Sequence, residues 1–168
     1  LCVDPLMVMN QVYQAVNLLT TREANPAAMV ALTCGVAKGG TAVNIIPNEA
    51  ELHIGLRTLD VEAGEHLKKR IPELIDHYVK AWNADYDLTT FHTPCTLTDE
   101  TLCSQLVPHI REITGPDSVH EIPAMTGTED FGYVTREVPG MFAFIGAGSP
   151  GNAPLHSPHM VLDENVLP

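Results

Sequence analysis

Apolar and polar positions along the chain repeat with two different periods, and the changes between them mark the elements. After Asp4-Pro5, an N-cap followed by a residue suited to the first helical position, Leu6, Met9, Val12, Tyr13, Val16 and Leu19 recur every three or four residues. This predicts an amphipathic helix. Thr20 to Pro26 is polar and breaks the stripe. From Ala27 to Lys38 the period becomes two, with Val30, Leu32, Cys34 and Val36 placed to share one face of a strand that ends at Gly39-Gly40. Glu49 to Leu59 alternates more cleanly: Ala50, Leu52, Ile54, Leu56 and Thr58 point one way, and Glu49, Glu51, His53, Gly55 and Arg57 the other. That pattern is an antiparallel strand with one face on a core. Asp60 then caps a second helix with Leu67, Ile71, Leu74, Ile75, Tyr78 and Trp82 on its apolar side, and Pro72 is predicted to kink or restart it. A short strand is expected from Tyr86 to Phe91.

The order helix–strand–strand–helix–strand is that of a ferredoxin-like unit without its first strand. In that topology the first strand lies inside the sheet, so its absence leaves backbone edges and an apolar face uncovered. The chain also opens on Leu1 and enters a helix at once. Both features predict a piece of a longer protein. Beyond residue 95 the pattern differs. Thr98 or Asp99 opens a third helix through Leu102, Leu106, Ile110 and Ile113, interrupted by Pro108 and ended by Gly115-Pro116. Further elements predicted are a strand at Val119 to Ile122, a short helix near Asp130 to Val138, a buried strand at Met141 to Ile145, and a helix beginning at Asp163. The expected fold is therefore α+β: a ferredoxin-like domain lacking its first strand over 1–95, followed by a partial α/β domain over 96–168. About 70 residues are too few for the second part to make a stable core alone.

Charge and cysteine usage narrow the function classes. The chain carries 9 Lys+Arg against 21 Asp+Glu and has no basic cluster, which argues against nucleic acid and anionic membrane partners. No apolar run is long enough to span a bilayer. Cys2, Cys34, Cys95 and Cys103 include no Cys-x-x-Cys pair, so reduced thiols and a cytoplasmic location are the default.

Few residues suggest chemistry on their own. His156 lies in a Gly/Pro-rich loop after an apolar segment and is either a hydrogen-bonded loop histidine or a metal ligand, with His159, Glu129 and Asp130 as companions. Glu129 and Asp130 could act as a base or as metal ligands, or simply favour the dipole of the helix they precede. Thr126, Gly127 and Thr128 offer amides and hydroxyls at that helix start, a possible carboxylate cradle. Arg57, on the open face of its strand, could pair with Glu49 or Glu51 or clamp a substrate carboxylate. Asn44 is a turn residue or an amide donor to a substrate carbonyl. A serine nucleophile is disfavoured because Ser149 lacks the Gly-x-Ser-x-Gly spacing, and Cys34 reads as core. The remaining histidines follow no ligand spacing.

Several strings taken together carry a family resemblance. GGTAVNIIPNEAEL followed by GLRTLD resembles the lid-domain signature of the metal-dependent aminoacylase, hippurate hydrolase and indole-acetyl-amino-acid hydrolase family. VDPLMVMNQVYQAV resembles its first lid helix, and TGTEDF, VPGMFAFIGAG and LHSPHMVLDENVLP resemble the closing part of its catalytic domain. The order is preserved over essentially the whole chain. The resemblance implies a zinc-peptidase-like catalytic domain holding two divalent ions, zinc or manganese, with an inserted ferredoxin-like lid that supports homodimerisation. The implied substrate is a small N-acyl amino acid, cleaved at its amide bond by a water that a glutamate deprotonates. By the same resemblance His156 is a metal ligand, Asn44 and Arg57 reach substrate, commonly in the partner's site, and Thr126, Gly127, Thr128 and Glu129 lie near the substrate carboxylate and the metals.

The family's Cys-x-His motif, its catalytic glutamate, a further His ligand and its lid histidine would all fall upstream of Leu1. Ile54-Gly55-Leu56 stands where Gly-Thr and an aliphatic residue are usual. With one clear ligand, the 168-residue chain by itself is expected to be inactive. Two other readings stay open: a non-enzymatic dimerisation or small-molecule-binding module, and a related dipeptidase or deacylase.

Overall fold

The structure is a computed structural model, and it describes residues 2–127, 129–148 and 151–166. Helix α1 spans Pro5–Arg22, strand β1 Val30–Gly39, strand β2 Ala50–Thr58 and helix α2 Val61–Ala81. Helix α3 spans Glu100–Thr114, helix α4 Phe131–Glu137, and one 3-10 turn covers Glu164–Val166.

Both helices of the first half start where the caps predict. The Asp4 carboxylate accepts the N–H groups of Leu6 (3.0 Å) and Met7 (3.4 Å), and Asp60 accepts that of Ala63 at 2.9 Å. Each bond satisfies a first-turn amide that has no partner inside its helix. Pro72 neither restarts nor ends α2, which runs unbroken to Ala81. Pro108 is likewise carried inside α3.

The core lies between the two helices and one face of the β1–β2 hairpin. Val8, Val12 and Val16 of α1 cluster with Ile75 and Val79 of α2, and Leu32, Leu52 and Ile54 pack against them from the sheet. Val16 and Leu67 are completely buried. The stripe of α1 is displaced from the expected one: Val8 and Ala15 are buried in it, whereas Tyr13 is exposed.

The two strands pair antiparallel, with Val30 opposite Thr58 and Gly39 opposite Ala50. The register slips by one between Cys34 and Val36, so Gly35 is an extra residue on β1. This corrects the expected strand face. Val30, Leu32 and Cys34 face the helices, but the bulge turns Val36 to the open side opposite His53 and pairs Ala37, itself exposed, with Leu52. At the hairpin end, Gly39 is required by close approach, because a Cβ there would sit 2.9 Å from Leu6 and 3.2 Å from the Ala50 Cβ.

Three predicted strands do not form. Residues 86–91, 119–122 and 141–145 are irregular, and among the described residues the sheet has two strands. In a ferredoxin-like sheet the last strand needs a neighbour, and among the described residues no strand pairs with 86–91. Tyr86, Leu88 and Phe91 are consequently exposed. The segment from Met141 is not buried as expected either: Phe144 and Ile145 are largely exposed. No described residue of α3 is buried. The predicted helix from Asp163 is present as the single 3-10 turn.

Candidate functional site

The open face of the hairpin and the loop between its strands carry the first candidates. Asn44 sits in the connection between β1 and β2, exposed and flanked by the exposed Val43, Ile45 and Ile46. Gly40, with φ 73°, begins this connection and lies against Pro47. Arg57 is near the other end of β2, opposite Ala31. Arg57 lies seven residue steps along β2 from Ala50, where the connection re-enters the sheet, a distance of about 24 Å at roughly 3.4 Å per residue. The fold thus sets Asn44 and Arg57 at opposite ends of the hairpin, and no hydrogen bond joins them.

Strand geometry leaves Arg57 available: Glu49 and Glu51 lie eight and six residues before it along the chain, about 20 Å or more at roughly 3.4 Å per residue, so neither expected partner reaches it. Glu51 is engaged instead by Lys38 across the ladder at 2.8 Å and by His53 on its own strand. These two partners, Lys38 foremost, hold the Glu51 carboxyl below its usual range. Among the described residues no ion pair or side-chain hydrogen bond engages the Arg57 guanidinium. A free guanidinium on an exposed strand face can take an anionic group in a two-pronged grip.

The second group lies before α4. Thr126 is half-buried and Gly127 exposed, with open space where a Cβ would be. Thr128 lies outside the described residues. Glu129 is exposed, and its carbonyl accepts the Gly132 N–H at 3.1 Å. Asp130 stands at the N-cap of α4 but makes no side-chain capping bond, so capping does not occupy its carboxylate.

His156 belongs to a closed loop. The Asp163 N–H donates to the Ala147 carbonyl at 2.8 Å, and the Asn152 amide donates to the Val161 carbonyl at 2.9 Å, which together pin the loop's neck. Within it the Ser157 N–H donates to the Pro154 carbonyl at 3.1 Å, closing a four-residue turn with His156 third. His156 has φ 69°, a left-handed conformation that favours Gly or Asn at this turn position. The imidazole is exposed. Among the described residues no three His, Cys, Asp or Glu side chains come together as a metal site. Among the described residues His156 stands as one isolated donor.

Cys34 fits its reading as core. Burial pushes its thiol up, only partly offset by the Asn17 amide that donates to the sulfur at 3.5 Å. A thiol held protonated is a poor nucleophile. One feature escaped the sequence reading: Arg70 of α2 grips Glu23, just past the end of α1, through Nε at 2.7 Å and Nη2 at 3.0 Å. His66 adds a third contact to the same carboxylate at 3.1 Å. These residues are 43 to 47 positions apart, and no local pattern relates them.

Comparison with known proteins decides the family. Residues 1–83 match the peptidase dimerisation domain of M20 type. Beyond that domain, N-acetyldiaminopimelate deacetylase of Lactococcus lactis is 32% identical over 166 residues, covering 98% of this chain. Residues 1–83 therefore belong to the M20 peptidase dimerisation domain family. IAA-amino acid hydrolase ILR1-like 4 of Arabidopsis thaliana is 28% identical over 99% of this chain. N-acetyl-L-cysteine deacetylase of Bacillus subtilis is 26% identical over 98% of it. The chain spans only 43%, 40% and 39% of these three relatives, respectively.

Two solved structures share the M20 fold. A protein from methicillin-resistant Staphylococcus aureus superposes over 97% of this chain and 43% of its own, with TM-score 0.81 and 20% identity. A Bacillus subtilis protein described as a dinuclear metal-binding peptidase of the M20 family superposes over 98% of this chain and 42% of its own, with TM-score 0.70 and 22% identity. No helix among the described residues is long and apolar enough to cross a membrane.

Proposed function

We propose that this chain forms part of an enzyme that hydrolyses the amide bond of N-acyl amino acids. The observation that carries the reading is the ordered match of nearly the whole chain, not the dimerisation domain alone, to relatives named as deacetylases and amino acid hydrolases. In this reading Arg57 grips the carboxylate of the amino acid product half. Asn44 donates its amide to the carbonyl that is attacked, where a hydrogen bond stabilises developing negative charge. Thr126, Gly127, Thr128 and Glu129 border the same substrate, and His156 contributes one donor to a pair of divalent ions, zinc or manganese, whose other ligands lie outside these 168 residues. Ligand counting makes the chain inactive on its own.

The separation of Asn44 from Arg57 along the hairpin is too large for one small substrate to bridge both within a single copy. It suits a homodimer in which each copy lends one of these groups to its partner's site. The hydrolytic reading predicts that the protein from the complete reading frame releases amino acid from acetyl, benzoyl or indole-acetyl substrates in preference to dipeptides. A preference for dipeptides instead supports the peptidase reading. Dimerisation with no turnover of either class supports a binding module.

A further inference from the structure

The stretch of chain that follows the dimerisation domain is clamped onto α4. Among the described residues from 85 onward, the buried ones are Pro94, Gly132 and Gly140, and all three belong to this clamp. Gly132 meets Pro94 so closely that a Cβ on it would lie 2.3 Å from the Pro94 carbonyl oxygen and 3.1 Å from that of Cys95. The adjacent Tyr133 hydroxyl donates to the His92 carbonyl. One turn further on, the Thr135 hydroxyl accepts the Leu97 N–H at 3.1 Å. The Asp99 N–H then donates to the Gly140 carbonyl at 2.8 Å, just beyond the helix. Backbone and side-chain groups from His92 to Asp99 are thus held at four successive points by residues 132–140.

We propose that residues 92–99 are a strap that makes the chain after the dimerisation domain one body with α4, so that the junction between two independently moving units falls before His92. Gly132 is its positioning residue, because only a residue without a side chain admits the Pro94 carbonyl at that distance. The consequence is mechanical. A swing of the dimerisation domain cannot be absorbed within 92–99. It is taken up by residues 85–91, which are irregular and, apart from the Tyr86 hydroxyl on Asp76, make no hydrogen bond among the described residues. The inference does not depend on the hydrolytic reading.

Amide exchange measured residue by residue on the 168-residue chain tests it. The Leu97 and Asp99 amides are expected to exchange at least roughly tenfold more slowly than the amides of 87–91. Gly132→Ala is expected to speed exchange at Leu97, Asp99 and the hydrogen-bonded amides of α4 together, leaving β2 and α2 unchanged. Gly146→Ala, placed where nothing lies within 4 Å, should change neither. If Gly132→Ala also exposes α3, Tyr133→Phe combined with Thr135→Val loosens the same strap without steric conflict and decides the matter. Free exchange of Leu97 and Asp99 in the unaltered chain would overturn the proposal. So would variants in which the strap loosens while α4 keeps its protection.

Discussion

Single residues carry unequal weight in this fold. Leu67 is completely buried, and cutting it to alanine removes both its transfer free energy and the packing around it. Leu67→Ala is expected to lower unfolding free energy by about 2–5 kcal/mol, read from a denaturant titration. His156 behaves in the opposite way. Its imidazole is exposed while its backbone is held left-handed, so a glycine there relieves strain and removes a candidate ligand at once. His156→Gly is expected to leave stability unchanged or raise it by up to ~1 kcal/mol. A clear loss of stability would mean that the side chain supports the fold. As sequence, His156 was visible only as a histidine in a Gly/Pro-rich loop. Its strained turn depends on the Pro154 carbonyl meeting Ser157, which composition does not announce. Arg57 was more legible, because clean alternation fixed its face. That it stands opposite Ala31, while Glu51 is taken by Lys38 toward the other end of the ladder, could be known only from the register.

At the scale of elements, helices were legible and strands only in part. A helix closes its hydrogen bonds within itself, so Asp4, Asp60 and Asp99, each followed by a periodic apolar stripe, were enough to place α1, α2 and α3. A strand is completed by another strand. The alternation of 50–58 found its partner in β1, whereas 86–91, 119–122 and 141–145 found none and stayed irregular. The Gly35 bulge lay outside the periodic reading for the same reason, since it exists only relative to the opposite strand. Charge pairs add a pH dependence to these elements. The Arg70 guanidinium foremost, with His66, holds the Glu23 carboxyl below its ordinary value of 4.5, and Lys80 does the same for Asp76. Carboxyls depressed by folding stabilise above their unfolded pKa and lose that contribution as pH falls through the folded value. The melting temperature is therefore expected to be flat with respect to these groups near neutrality and to fall below about pH 4.5. Glu23→Gln should flatten that acid limb, with the remaining decline belonging to Glu51, Glu65 and Asp76.

The whole molecule is uneven. Its first four elements share a core, while among the described residues from 85 onward only those of the strap and its seat are buried, and Phe144, Ile145 and Leu155 are exposed. That imbalance agrees with a chain that matches about two fifths of the length of its relatives, whose remaining residues have no counterpart here. The family was readable because its strings occur in order along the chain. The division of candidate residues between distant places was not readable, since spacing in sequence says nothing of the length of a strand laid between two residues. Arg57 and Asn44 are near in sequence and far apart in the hairpin, and the proposed activity depends on that geometry being shared between two copies. The decisive measurement is amino acid release from an acetyl, benzoyl and indole-acetyl amino acid panel by the protein of the complete reading frame, with and without Arg57→Ala. The account predicts turnover by the unaltered protein and a loss of at least roughly tenfold in kcat/KM for the variant, about 1.4 kcal/mol of transition-state stabilisation. Absence of hydrolysis across the panel, or full activity without the Arg57 guanidinium, would contradict it.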